Sequence, residues 1–141
     1  MTSILNRSAL QAVARSKLAD ALLLHEHERF SNAYYLAGYA VEIALKACIA
    51  RQIVAETIPD RSFVNEIFRH ELKRLVNLAG LASELRDREA RDAAFAANWA
   101  TVADRRPDVR YTEVDRGSAE AMLSAVGDPG AGVMPWISIY W

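Results

Sequence analysis

Residues 31–51 read SNAYYLAGYAVEIALKACIAR, and this stretch decides the fold. Alanine, leucine and other good helix formers dominate it, and no proline interrupts it. The pattern predicts a helix over residues 30–56 that is apolar on nearly every face between residues 33 and 50. Because a helix that is apolar all round has to be covered on several sides, the sequence predicts a central helix within a helical bundle.

Further amphipathic segments surround this central helix in the sequence. Apolar residues recur there at steps of three and four, which predicts helices over residues 6–27, 64–79, 83–106 and 116–126. The tail, residues 133–141, is strongly apolar, and its pattern leaves open whether it is helical or extended. Left exposed it would favour aggregation, so we expect it to dock. The predicted fold class is all-α: residues 1–141 form a single domain, one up-and-down bundle of about five helices with the short apolar C-terminal segment docked on it.

The composition argues against several classes of protein. The chain has 141 residues, with 17 Lys and Arg, 18 Asp and Glu and a net charge of -1, so strong nonspecific attraction to nucleic acid or to a membrane surface is not expected. Its one cysteine, Cys48, forms no internal disulfide and supports no cysteine-based zinc site. The uncharged stretch over residues 30–41 is too short to span a bilayer. We therefore expect a cytoplasmic protein without membrane contact.

The sequence also lacks the common motifs for cofactors and metals. It contains no phosphate-binding GxxxxGK[ST], no GxGxxG, no GxSxG and no HExxH. We therefore expect neither a cofactor nor a metal ion.

Between Asn32 and Arg51, the charged residues of the central helix are Glu42 and Lys46. They lie four residues apart with the glutamate first, which is the favourable order for a helical ion pair. On so apolar a helix at least one of them has to be partly buried, and a buried charge needs partners. Two interpretations remain open: a buried pair that fixes helix packing, or a polar pocket in which both side chains face a ligand.

Three further features have both structural and functional interpretations. Gly38, in the middle of the central helix, favours a close helix crossing. Tyr34, Tyr35 and Tyr39 have a spacing typical of core or interface, although tyrosines also stack on nucleic-acid bases. His70 is typical of a cap or packing residue, and its alternative role is general acid–base catalysis or a phosphate contact.

The segment after the fourth predicted helix is rich in arginine. Arg105, Arg106 and Arg110 lie within six positions, and Tyr111 follows directly. Arginines beside an aromatic ring are able to clamp a phosphate and stack a base. The interleaved acidic residues favour instead a solvated turn whose charges pair with one another.

Residues 31–51 resemble the signature helix of the HEPN superfamily, whose members often carry an A-Y-x-L-x-G-Y-A-x-E-x-x-L-K-A run. Later segments agree in order: H-x-L-x-x-L begins at His70, N-W at Asn98 precedes R-Y at Arg110, and G-V-x-x-W-I begins at Gly132. The resemblance implies a helical bundle, usually a homodimer, associated with RNA or nucleotides. Many members resemble ribonuclease toxins that pair with a nucleotidyltransferase-type antitoxin.

The catalytic members of the superfamily carry an arginine, four to six residues and then a histidine. None of the three histidines of this chain has an arginine at that spacing, so the nuclease motif is missing. The family pocket is then expected to survive as a binding site, with His70 as the candidate for any catalytic role. The residues that match the family pattern there are Glu42, Lys46, His70, Arg110 and Tyr111.

These observations predict a non-catalytic HEPN-like domain that binds a nucleotide, an RNA or a protein partner through a polar pocket. One alternative is a metal-independent ribonuclease toxin, in which His70 meets Arg69 or Arg110 across a dimer cleft. A second alternative is a structural subunit that docks on another protein through its apolar tail.

Overall fold

The computed structural model describes residues 5–106 and 111–141, and the regular elements in these ranges are all helices. The all-α fold class predicted from the sequence is confirmed. In chain order the helices are α1 (Arg7–Glu26), α2 (Phe30–Ala50), α3 (Arg61–Ile67), α4 (Leu72–Leu78), α5 (Ala82–Arg91), α6 (Ala93–Ala103), α7 (Arg116–Gly127) and α8 (Val133–Ile137).

Helix α2 lies at the centre of the bundle, as its apolar sequence predicts. It packs against α1, α4, α7 and α8, and 13 of its 21 residues are buried. Its most extensive contact is with α1, whose buried residues, Ala14 and Ala21, are small enough to let the two helices approach closely. Alanine residues at this contact thus allow close helix packing.

Helix α2 ends at Ala50 rather than at residue 56 as the sequence predicts.

The predicted helix over residues 64–79 consists of two short helices, α3 and α4. Residues 68–71 separate them, and His70 lies in this connection. The His70 carbonyl accepts a hydrogen bond of 2.7 Å from Nη2 of Arg105, a residue far away in the sequence. This tertiary contact uses a carbonyl that a continuous helix would use itself, which is why periodicity alone did not reveal the break.

The predicted helix over residues 83–106 divides at Asp92. The backbone of Asp92 is extended, with φ -142° and ψ 95°, and its carboxylate accepts a hydrogen bond of 3.0 Å from the backbone N–H of Phe95. Asp92 is thus the N-cap of α6, and Arg88 from α5 donates to the same carboxylate at 3.1 Å. Aspartate favours such caps over helix interiors. A charged run that periodicity assigned to one helix therefore contains a helix start.

The apolar tail docks on its own bundle, and the part that is regular is helical. Helix α8 begins at Val133, and its backbone is continuous with a final turn that ends the chain. Two arginines hold that end: Arg7 Nη2 donates to the carbonyl of Trp141 and Arg51 Nη1 to the carbonyl of Tyr140, each at 2.6 Å. The buried side chains of α8 are Val133, Met134, Trp136 and Ile137.

Judged by length and composition alone, helix α2 is the one helix within the described ranges that is long and apolar enough to cross a membrane. Its most apolar window has a mean hydropathy of 1.2, and 72% of that window is buried inside the bundle. The core helix of a globular protein passes the same test, so the burial accounts for the apolar sequence.

Candidate functional site

Glu42, in the middle of α2, is the centre of an ion cluster. Glu42 is only 2% exposed, and each of its carboxylate oxygens has at least one hydrogen-bond partner. Lys46 Nζ lies 3.2 Å and His70 Nδ1 2.9 Å from Glu42 Oε2. Arg105 Nη2 donates to the other oxygen, Oε1, at 2.7 Å. We call these four residues, Glu42, Lys46, His70 and Arg105, the Glu42 cluster.

Three different parts of the chain supply this cluster. Lys46 lies one helical turn after Glu42 on α2, and His70 comes from the connection between α3 and α4. Arg105 follows the end of α6, and its Nη2 bonds both to Glu42 and to the His70 carbonyl at 2.7 Å. A buried carboxylate thus draws two otherwise separate connections onto the central helix.

Gly38 makes room for the arginine. A Cβ atom at this position would lie 3.0 Å from Cδ of Arg105, closer than most real contacts of that kind. Gly38 is four residues before Glu42 and therefore on the same face of α2. The expected close crossing at Gly38 is therefore made by the Arg105 side chain passing over α2 rather than by a second helix.

The Glu42 carboxylate is held in its ionised form. Burial by itself raises the pKa of Glu42, but the hydrogen bonds from Arg105 and His70 and the positive charge of Lys46 outweigh it, so that the pKa lies below its ordinary value. With Lys46 and Arg105 both cationic, the cluster carries one surplus positive charge before His70 is counted. The cluster is therefore electropositive although its centre is an acid.

Hydrogen-bonding capacity in the cluster is uneven. Both oxygens of Glu42 are occupied, and three basic groups share them. The Lys46 ammonium has three N–H donors, and Glu42 is the one acceptor it meets within the described ranges. Arg105 uses a single nitrogen, Nη2, for its bonds to the part of the chain that is described. The cluster therefore has donors to spare and suits an anionic ligand.

Two cavities border the Glu42 cluster. One, of about 400 Å³, is lined by His70, Lys73 and Arg105, together with the carboxylate residue Glu71. The other, also of about 400 Å³, is lined by Glu42 and Lys46 among mostly apolar side chains. Small-molecule sites are usually concave spaces of this size order with a few polar groups.

A protein-family model described as HEPN domain matches residues 9–128. This range contains the whole Glu42 cluster. The chain belongs to the HEPN family. Searches among curated proteins and among solved structures found no match to it.

The structure of this HEPN domain brings together three of the five binding residues expected from the sequence: Glu42, Lys46 and His70. Arg110 falls in residues 107–110, outside the described residues. Tyr111 is exposed, and the hydrogen bonds that Glu42 makes within the described residues are to other side chains.

Arg105 is the cluster residue that sequence reasoning did not assign. The sequence predicts a solvated turn here, in which the charges of neighbouring arginines and acidic residues pair with one another, but the Arg105 side chain is largely buried against Glu42. The available signal was Gly38: a glycine one turn before a buried glutamate leaves space for a long cationic side chain. The sequence gives no indication of which cation that is.

Other candidate groups of the HEPN domain have structural roles. The hydroxyl of Tyr34 accepts a hydrogen bond of 3.1 Å from the backbone N–H of Arg106. Asn98 Nδ2 donates to the carbonyl of Ala131 at 2.9 Å and so ties α6 to the tail. Burial raises the pKa of the Cys48 thiol to about 11, which keeps it protonated and unreactive. Among the described residues, no group of three or more His, Cys, Asp and Glu is close enough to hold a metal ion.

Proposed function

We propose that this HEPN domain binds a phosphate-bearing ligand, a nucleotide or an RNA, at the Glu42 cluster and does not cleave it. The observation that carries this proposal is the saturation of the buried Glu42 carboxylate by three basic groups, while Lys46 and Arg105 keep donors that bond to nothing within residues 5–106 and 111–141. Charge-assisted hydrogen bonds from such groups are the usual way in which proteins hold phosphate.

The charge of the whole chain supports a local site rather than a broad basic surface. The formal net charge is -1, so long-range attraction to a polyanion is weak. The bordering cavity adds Lys73 to His70 and Arg105, with Glu71 as the opposing charge. A ligand with one or a few phosphates meets more positive than negative groups there.

Binding measurements on matched variants test this proposal. We expect Lys46→Met and Arg105→Met to weaken binding of adenosine monophosphate and of a short single-stranded RNA by at least about tenfold, because each removes a charge-assisted hydrogen bond. Arg106→Met, at the adjacent exposed position, is the control and should bind like the wild type. Fluorescence anisotropy with labelled ligands measures the dissociation constants of the wild type and of all three variants. Equal losses in the Arg105 and Arg106 variants, or a wild type that binds neither ligand, would contradict the proposal.

One observation favours a second candidate function, a metal-independent ribonuclease. Because the ionised Glu42 carboxylate can only accept, Nδ1 of His70 donates their 2.9 Å hydrogen bond, and Nε2 is the ring nitrogen that does not face Glu42. The His70 side chain is 74% exposed, which leaves it accessible to a substrate. Cleavage of RNA by the wild type, abolished in His70→Ala and retained in His27→Ala, would favour this function over binding alone.

The assembly of the domain is also a proposal. Homodimer formation and pairing with a nucleotidyltransferase-type antitoxin rest on membership of the HEPN family, and light scattering of the purified chain tests the first of them. Support for the structural-subunit alternative is weaker, because the apolar side chains of α8 are already buried on this bundle.

A further inference from the structure

The cavity next to Lys46 differs in character from the rest of the Glu42 cluster. It lies between α1, α2 and the end of α3 and has a volume of about 400 Å³. Its polar lining residues are Tyr39, Glu42 and Lys46. The remaining lining is apolar and includes Leu10, Val13, Ile43, Ile49, Ile67 and Phe68.

Apolar side chains remain exposed around this cavity. Val13 of α1 is 42% exposed, and Phe68 and Ile53 are also exposed although all three line it. Covering such surface is favourable in proportion to its apolar area. A ligand with an apolar part therefore gains free energy here that a bare phosphate does not.

The polar end of the cavity selects the charge of the ligand. Both Glu42 oxygens are already bonded, so the carboxylate has little capacity for a cationic ligand. Among the residues that the structure describes, the ammonium of Lys46 bonds to Glu42 at 3.2 Å and has further N–H donors beyond that contact. A negatively charged group at this end therefore finds a partner, and a positive group does not.

The aromatic lining favours a flat ligand. Tyr39 is stacked against Tyr35, with ring centroids 6.1 Å apart and an angle of 9° between the planes, so its ring is held in place. Phe68 lies elsewhere in the same lining. Aromatic side chains offer faces and edges on which a planar ring packs.

We propose that this cavity is a subsite for the apolar, ring-sized body of an amphipathic anion whose negatively charged head meets Lys46. The inference rests on the proposed phosphate site and narrows its ligand to a small molecule with a planar body. Nucleotides belong to this class, and so do phosphate esters of other ring compounds. Inorganic phosphate, which has no apolar body, does not.

Calorimetric titration with naphthyl phosphate and inorganic phosphate tests the subsite. We expect the wild type to bind naphthyl phosphate at least about tenfold more tightly than inorganic phosphate. Val13→Trp fills the cavity from α1 and should abolish this difference while leaving the affinity for inorganic phosphate unchanged. Leu22→Trp is the matched control, because Leu22 is 49% exposed on the same helix and does not line the cavity.

A second pair of variants keeps the test valid if the tryptophan variants do not fold. Val13→Asp places a negative charge at the mouth of the cavity and should also weaken naphthyl phosphate binding, whereas Leu22→Asp should not. Titrations with adenosine monophosphate and with decanoate then test whether the apolar part of the ligand is a planar ring. Tighter binding of the nucleotide supports a planar ring, and tighter binding of decanoate overturns the inference that the cavity prefers one.

The outcomes separate this inference from the proposed function. If both phosphates bind equally, or if Val13→Trp and Leu22→Trp behave alike, the subsite is overturned and the phosphate site stands. If neither phosphate binds the wild type, the phosphate site is overturned, and the subsite, which rests on it, is overturned as well.

Discussion

Glu42→Gln is expected to lower the free energy of unfolding by about 3 kcal/mol at pH 7, because removing one partner of a buried ion cluster leaves the other charges uncompensated. In the wild type the carboxylate is the shared acceptor of Lys46, His70 and Arg105. Glutamine keeps the shape but offers one neutral acceptor to three basic groups. Urea unfolding followed by circular dichroism measures the change.

Glu66→Gln is the control for this change. Glu66 also has two basic partners, with Arg69 Nε at 3.5 Å and Arg74 Nη1 at 3.8 Å, but its side chain is 35% exposed. Pairs of this kind contribute at most about 1 kcal/mol. A Glu42→Gln variant as stable as Glu66→Gln would show that the cluster is not the buried ionic centre described above.

The effect of Glu42→Gln should also depend on pH. The folded-state pKa of Glu42 is lowered relative to the unfolded chain, so its ionised form stabilises the fold above the unfolded pKa of about 4.3. That contribution is lost as the pH falls through the folded-state pKa. The stability difference between wild type and variant should therefore be full at neutral pH and shrink under acidic conditions, and a difference that grows on acidification would contradict the account.

Gly132→Ala is expected to cost about 2 kcal/mol or more, because an added methyl group has no space beside fixed backbone atoms. A Cβ atom there would lie 2.7 Å from the backbone nitrogen of Asp128 and 2.8 Å from the carbonyl oxygen of Val126. Gly132 is the N-cap of α8, and its N–H donates to the carbonyl of Asp128 at 2.8 Å. The substitution should therefore displace α8, including the buried ring of Trp136, from the core.

Gly130→Ala, in the same loop, separates this steric effect from a general loss of glycine. A Cβ atom at Gly130 would meet Oδ2 of Asp128 at 3.7 Å, which is an ordinary contact. Thermal unfolding of both variants, with tryptophan fluorescence as the probe, should show a large loss for Gly132→Ala and a small one for Gly130→Ala. Similar midpoints in the two variants would contradict the proposed docking of α8.

The parts of the fold that follow from local pattern were predictable. The apolar run of α2 indicates its central position, and the isolated charges Glu42 and Lys46 stand out against it, four residues apart on one helix. Arg105 lies 63 positions from Glu42, and no periodicity links residues at such a distance. The glycine that accommodates it was visible, but the group that occupies the space depends on tertiary packing.

The breaks within the predicted helices have the same explanation. His70 ends up outside a helix because its carbonyl bonds to Arg105, and Asp92 interrupts a charged helical run because it caps α6. In the tail, Pro135 lies two residues after the first residue of α8, Val133, which is still within the first turn, where its missing N–H costs nothing. These helix boundaries depend on interaction partners that are not evident from the local sequence.

The most direct test of the central claim is a nuclear magnetic resonance titration that follows the side-chain signals of Lys46, His70 and Arg105 as adenosine monophosphate is added. We predict that the signals of all three shift and saturate with one dissociation constant, while the guanidinium of Arg74, paired with the partly exposed Glu66, does not change. Binding that leaves the three cluster signals unchanged, or shifts Arg74 equally, would contradict the assignment of the Glu42 cluster as the phosphate site.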